Sequence, residues 1–348
     1  MTTAPVAATL PGAVPPPESL ADQGIAWHYG DPFREQRDVV AGRGAVDLSN
    51  RGVVTVTGVD RLSWLDSLTS QVLTSLAPHS SALSLILSPH GHVEHELHVV
   101  DDGTTTWLIT TPGDATALTR YLDSMRFMLR VEAADVSDSY GVVFEPVRAL
   151  SPDGLPTYVE PESFAGLVAP DAGGDADRFV AERPGKLIGR EVIVARRDVP
   201  TRVAASDAPA GSWAYEALRV AAGVPMFGRD TDDRTIPHEV AWVGPAVHLS
   251  KGCYRGQETV ARVQNLGRPP RRLTLLHIDG SSDVVVAPGS EVMLDGSVVG
   301  VVGTVAQHYE LGPIALALIK MRTPTDATLT VSGVAVSQQP IVGASVAG

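Results

Sequence analysis

The one cysteine of the chain, Cys253, lies in the segment SKGCYRGQETVAR (Ser250–Arg262), between two glycines and two cations. A thiol reacts as its thiolate, which nearby cations and backbone N–H groups favour. Lys251 and Arg255 flank it at two residues on each side. In an extended strand all three side chains would share one face. Gly252 and Gly256 permit close backbone approach or a positive φ. The opposing reading is a small, inert residue in a tight loop, because free cysteine is usually buried and unreactive. No histidine–cysteine pairing is readable, so a protease-type nucleophile is not favoured.

The same neighbourhood is basic. Between Lys251 and Arg272 stand Lys251, Arg255, Arg262, Arg268, Arg271 and Arg272 against one acid, Glu258, while the whole chain carries a net charge of −13. Arginine forks suit carboxylates and phosphates. The segment reads as a site for an anionic small molecule or, alternatively, as a solvated loop whose charges serve solubility.

A third cluster is PHGHVEHELHVV. As a strand, it projects His92, Glu94, Glu96 and His98 from one face and Val93, His95, Leu97 and Val99 from the other. Alternating imidazoles and carboxylates could hold a divalent metal. The apolar opposite face is enough to make this the wet side of a half-buried strand, and that reading is preferred, with no metal expected. A fourth segment, YEALRVAAGVPMFGRDTDDRTIPHE, joins a helix to an ordered loop. Arg219 on the helix and Glu239 at the loop end could each hydrogen-bond a ligand.

These residues need a frame to hold them. A chain of 348 residues, 44% hydrophobic and 19% charged, is an ordinary globular balance with material for two or three domains. No run of about 18 apolar residues marks a membrane span. A single cysteine forms no internal disulfide, so a reducing cytoplasm is expected. The acidic balance argues against a general nucleic-acid surface. The opening MTTAPVAATLPGAVPPPES lacks the marks of a signal peptide, and residues 1–23 read as a disordered tail that packs nothing.

Gly52–Thr57 reads as a strand, followed by a helix that Asp60 caps, with Leu62, Leu65, Leu68 and Val72 on its stripe. Strands are expected over Leu83–Leu87, Val93–Val100 and Thr105–Thr111. Pro112-Gly113-Asp114 then opens a helix bearing Leu118, Tyr121, Leu122, Met125 and Leu129. Residues 151–185 read as a loose connection. REVIVAR is a strand, and SWAYEALRVAAG a helix closed by Gly223. From Leu273 onward LTLLHI, SEVML, SVVGVVGTV, PIALALIK and ATLTV are short strands of a small antiparallel barrel or sandwich. Strand groups with inserted helices argue α+β with largely antiparallel sheets, not a doubly wound sheet.

Together these segments resemble a known family. KGCYRGQE, matched at Lys251, Gly252, Cys253, Tyr254, Gly256, Gln257 and Glu258, is similar to the signature Lys-Gly-Cys-Tyr/Phe-x-Gly-Gln-Glu of the YgfZ-type folate-binding proteins. Those proteins belong to the superfamily of the glycine-cleavage T-protein, the tetrahydrofolate-dependent aminomethyltransferase. GAVDLSNRGVVTVTGVDRLSWLDSLTSQ and EALRVAAGVPMFGRD…IPHE look like two further segments of that superfamily. The resemblance implies a three-domain cloverleaf around a folate-sized hole. Its parts here would be a folate-binding α+β domain (24–145), a second α+β domain with the cysteine motif (146–265) and a C-terminal β-barrel (266–348).

It further implies a tetrahydrofolate or derivative as ligand, and a role in assembly or repair of iron–sulfur enzymes, indirectly linked to tRNA thiolation. Partners would be folate and iron–sulfur clients or assembly proteins, with no membrane and no direct nucleic acid. The motif cysteine is required in that family, a role carried onto Cys253 alone, while Lys251 would join it at the catalytic site and, with Arg255, favour the thiolate. Gly252 and Gly256 would shape the loop, and Gln257 and Glu258 would hold it. Arg219, Glu239, Arg262, Arg271, Arg272 and Glu96 would serve the folate. True aminomethyltransferases carry Gly-Gly-x-x-Asp-Asp, where this chain has His95 and Glu96 at the aspartate positions. The expectation is therefore against aminomethyl transfer. The alternatives are an active tetrahydrofolate-dependent aminomethyl- or methyltransferase, with Glu96 substituting, and a non-catalytic folate-sensing adaptor.

Overall fold

The computed structural model describes residues 10–18, 22–160, 184–266, 268–281 and 284–342. The chain falls into two compact units: Met1–Leu85 with His95–Glu160 and Ile188–Tyr215, and Ile86–Glu94 with Pro161–Leu187 and Glu216–Gly348.

The first unit opens with helix α1 (Pro32–Val40) and strands β1 (Ala45–Asp47) and β2 (Gly52–Thr57). Helix α2 (Arg61–Leu68) and strands β3 (Ser80–Leu87), β4 (Val93–Asp101) and β5 (Thr105–Thr110) follow. Next come α3 (Ala115–Ser124), β6 (Glu132–Asp135), β7 (Tyr140–Glu145), β8 (Thr157–Val159) and β9 (Arg190–Ala195). Helix α4 (Val199–Ala204) and strand β10 (Pro209–Ala210) complete the series, and helix α5 (Ser212–Ala221) passes into the second unit at Glu216. The strands form two five-stranded sheets, ordered β3-β4-β5-β2-β6 and β10-β1-β7-β9-β8. β2 pairs antiparallel with β5 and β6, and β7 with β1 and β9, while β1 runs parallel to β10.

In the second unit, α6 (Gln257–Leu266) precedes six strands: β11 (Arg271–Ile278), β12 (Glu291–Leu294), β13 (Ser297–His308), β14 (Gly312–Lys320), β15 (Leu329–Val331) and β16 (Val334–Pro340). They close into a barrel in the order β11-β14-β13-β12-β15-β16. Alternate residues Leu276, Val292, Val302, Ala317, Ile319, Leu329, Val331 and Val336 fill its interior. Each large one contributes roughly 1.5–3 kcal/mol relative to exposure. The α+β class, the antiparallel sheets and the terminal barrel are as the sequence indicates. Among the described residues no helix is long and apolar enough to cross a membrane.

Several local expectations are corrected. The N-terminal tail does pack where it is described: Leu10 covers the cluster around Val143 and Val192, and Val14 bridges His28. Asp60 precedes α2 without capping it, because its carboxylate instead accepts three bonds from Arg130. That helix ends at Leu68, before Val72. Leu129, expected on the second helix's stripe, is exposed beyond the end of α3 at Ser124. The connection after Ser151 includes β8, which pairs with β9. Its remainder, 161–183, lies outside the described residues. A sixth barrel strand, β16, follows ATLTV. Gly223 ends the SWAYEALRVAAG helix with φ +68°.

Candidate functional site

The cysteine motif is a loop, not the extended strand that would align Lys251, Cys253 and Arg255. Cys253 is exposed. Lys251 is buried, its Nζ 5.7 Å from the centre of the Tyr254 ring. This cation–π contact gives the ammonium a seat other than the thiol. Burial pushes the Tyr254 phenol up to about 12. The Gln257 amide donates to the Lys251 carbonyl at 3.4 Å, closing the loop onto the start of α6. Glu258 is exposed in the first turn of that helix, where the positive helix end favours an acid. Among the described residues Gly252 has no close neighbour, and its φ is not positive.

Gly256 is where backbone freedom matters. Its φ is +84°, and a Cβ there would stand 2.6 Å from the Ser88 carbonyl oxygen. The loop rests on the turn between β3 and β4, which belongs to the same unit. Arg255 donates to Glu94 across this seat at 2.9 Å. The turn is tight in its own right: the amides of His90 and His92 both donate to Ser88 Oγ. The motif thus presents one exposed thiol on a framed loop beside a turn rich in histidine.

The arginines offered by the sequence divide sharply. Arg219 is 1% exposed and donates to Asp230 and the Val224 carbonyl at 2.6 Å, and to Glu216 and Thr304 at 2.7 Å. Burial disfavours its charge, but Asp230 and Glu216 outweigh burial and raise its pKa. Arg272 is buried against the Met321 and Thr323 carbonyls and Gln338. Glu239, fully buried, accepts from Arg271 at 2.8 Å and from the Ile236 amide at 3.1 Å. These three bind the protein itself. Arg271 also pairs with Asp232, whose carboxyl it holds at about 2. It lines a cleft of about 220 Å³ with Arg229 and Lys320. Arg262 is exposed on α6.

In the first unit, the strand expected to be half wet is not. Glu96 and His98 of β4 are buried. His98 Nδ1 lies 2.8 Å from Glu191 Oε2, and its Nε2 3.6 Å from Glu96 Oε1. Arg51 donates to the other Glu191 oxygen at 2.6 Å and to the Tyr215 hydroxyl at 2.8 Å. The Tyr158 ring stacks on His98 with centroids 4.0 Å apart. Burial alone would lower the His98 pKa, but Glu191 outweighs it and lifts the imidazole to about 10. Glu191 is itself held low by Arg51 and His98 against its burial. His95 turns to the other face and meets Asp114 at 2.9 Å. Sequence reading missed Arg51, Tyr158, Glu160, Glu191 and Tyr215. The available signal was Glu191 itself, a charge within the apolar run of β9.

No family model matches the chain. It is 28% identical to an aminomethyltransferase of Nostoc sp. over 312 residues, 82% of this chain and 79% of that protein. An aminomethyltransferase of Streptomyces coelicolor is 26% identical over 319 residues, covering 84% and 82% of the two chains. A putative chloroplastic transferase of Arabidopsis thaliana is 25% identical over 285 residues, 73% of this chain and 60% of that one. Among solved structures, the glycine cleavage system aminomethyltransferase T of Bartonella henselae matches with a TM-score of 0.71 at 18% identity. That match spans 94% of this chain and 92% of the other. The chain has the aminomethyltransferase fold and is similar in sequence to aminomethyltransferases.

Proposed function

We propose that the protein binds tetrahydrofolate or a derivative and supports assembly or repair of iron–sulfur enzymes through Cys253. The observation that carries this reading is the exposed thiol on a loop framed by Gly256, Gln257 and the Arg255–Glu94 pair. A structural cysteine would be buried, whereas this one is presented to solvent. The resemblance of the motif to YgfZ-type proteins supports the iron–sulfur role, and similarity to aminomethyltransferases supports a folate ligand. Because Lys251 is seated over Tyr254, the motif cation nearer the surface is Arg255. Arg262 and Arg268 are exposed motif-region arginines with surface to offer folate carboxylates, and Arg271 is 22% exposed and already paired with Asp232 and Glu239.

The decisive experiment is complementation of a strain lacking such a protein, scored by the activity of an iron–sulfur enzyme. Wild type restores activity and Cys253→Ala does not. Equal rescue by both removes the thiol from the function. Calorimetry with tetrahydrofolate, on wild type and Arg271→Glu, tests the ligand separately; unchanged affinity in the variant takes Arg271 out of the site.

Similarity to aminomethyltransferases favours a second reading, one-carbon transfer to or from tetrahydrofolate. Glu96 is buried 3.6 Å from His98, which sets its carboxyl group beside an imidazole. One-carbon transfer that disappears in Glu96→Gln would establish this reading, and no turnover by wild type excludes it.

A further inference from the structure

The cluster around His98 has the donor set and the surroundings of a metal centre. A nitrogen of His98 and carboxylate oxygens of Glu160 and Glu191 lie within 4.8 Å of one another, all three residues buried in one unit. Two ligand atoms on a tetrahedral zinc stand about 3.4 Å apart when each bond is about 2.1 Å, so modest side-chain rotations close this triangle. We propose that His98, Glu160 and Glu191 bind one first-row divalent cation, with a water as its fourth ligand.

Three features around the triangle point the same way. Metal-binding histidines commonly give their second ring nitrogen to a carboxylate, which fixes the ring and raises its basicity. Here Nδ1 faces Glu191 and Nε2 faces Glu96 at 3.6 Å. Ligating carboxylates are in turn held by outer hydrogen bonds. Arg51 does this for Glu191, taking Oε1 at 2.6 Å and leaving Oε2 directed at His98.

The third feature lies beside the ligands. Among the described residues the Tyr158 hydroxyl is buried without a hydrogen-bond partner, and its ring stacks on His98 with centroids 4.0 Å apart. A buried hydroxyl left unpaired costs about 1–3 kcal/mol, and such a group calls for an explanation. A water bound to the cation would supply its partner. On binding, the ion takes the place of the proton between His98 Nδ1 and Glu191 Oε2. That proton leaves to solvent, and the Nε2 proton stays with Glu96. Three carboxylates against one guanidinium compensate the added charge. The mixed nitrogen–oxygen set suits zinc, manganese or iron(II) rather than calcium or copper(I). This inference stands apart from the folate reading.

The full-length protein is stripped with a chelator and titrated with Zn²⁺ alone by calorimetry. We expect one zinc per chain. Glu160→Gln and His98→Gln should each weaken binding by about 100-fold or more, and Glu96→Gln by about 10–100-fold, the usual cost of an outer partner. The double variant His90→Ala/His92→Ala removes the turn histidines and should bind zinc as wild type does. Absence of binding, equal binding by Glu160→Gln, or loss in the turn variant overturns the proposal. Circular dichroism monitors folding. Should the ligand variants unfold, Co²⁺ in wild type decides: visible bands of a four-coordinate nitrogen–oxygen site support the proposal, and their absence overturns it.

Discussion

Two arginine-bearing regions of the second unit look alike in sequence and differ in everything physical. Arg219 is surrounded by Glu216, Asp230, Thr304 and the Val224 carbonyl, and solvent does not reach it. Arg255, beside Cys253, pairs with Glu94 and keeps a side chain 35% exposed. A buried guanidinium with its donors filled is a fastener, while a half-exposed one in a framed loop can still meet a ligand. The chemistry of a residue type therefore says less about its role than the number of internal groups that already claim it.

The sharpest way to break this contrast is to remove the fastener. Arg219→Ala leaves Asp230 without its buried cation and Glu216 with Arg229, and should cost about 3–5 kcal/mol in urea unfolding. A loss below about 1 kcal/mol would place Arg219 on the ligand side after all. Next comes Gly256→Ala, which forces a side chain into a left-handed backbone and against the Ser88 carbonyl. We expect a loss of about 1–3 kcal/mol together with displacement of the loop. Unchanged stability would show that the loop is not seated on the β3–β4 turn.

A third test uses pH. Burial pushes the His238 imidazole, near Glu239 in the same unit, down to about 4, with a Gln264 hydrogen bond working the other way. The unfolded chain binds this proton from its ordinary 6.5 downward, and the folded chain only near 4. Stability should therefore fall as pH drops from 6.5 towards 4, by at most about 1.4 kcal/mol per pH unit from this group. The difference between wild type and His238→Gln across that window isolates the contribution, and parallel profiles refute it. The smallest effect belongs to Cys253→Ala, expected to change stability by less than about 0.5 kcal/mol because the thiol is exposed. A larger loss would mean that the sulfur is packed and structural.

The barrel was legible because short β-branched runs with Gly and Asp between them have few other solutions. Its last strand, VAVSQQP, is hard to read as a strand because its polar half resembles a loop, although it completes the ring against β11. The left-handed turn at Gly256 could be read from paired glycines around the motif. The partners of Arg219, Glu239 and His98 could not. Glu191 lies 93 residues from His98, and Thr304 lies 85 from Arg219. Local spacing carries no information about such pairs. For the same reason β4 reads as half wet: its alternation is genuine, but both faces are covered.

The closure of the barrel has a bearing on how the protein would fail when stressed. A closed ring offers no unpaired backbone, so sticking between chains must begin on the two open sheets. Of their four outer strands, β8 and β10 are three and two residues long, and β10 holds Pro209. β6 carries Glu132 and Asp135 at its two ends. β3 alone is long and uncharged, with the sequence SSALSLIL. Heating should turn that strand into the seed of precipitation, and a single lysine on its outer half would delay clouding without altering the fold.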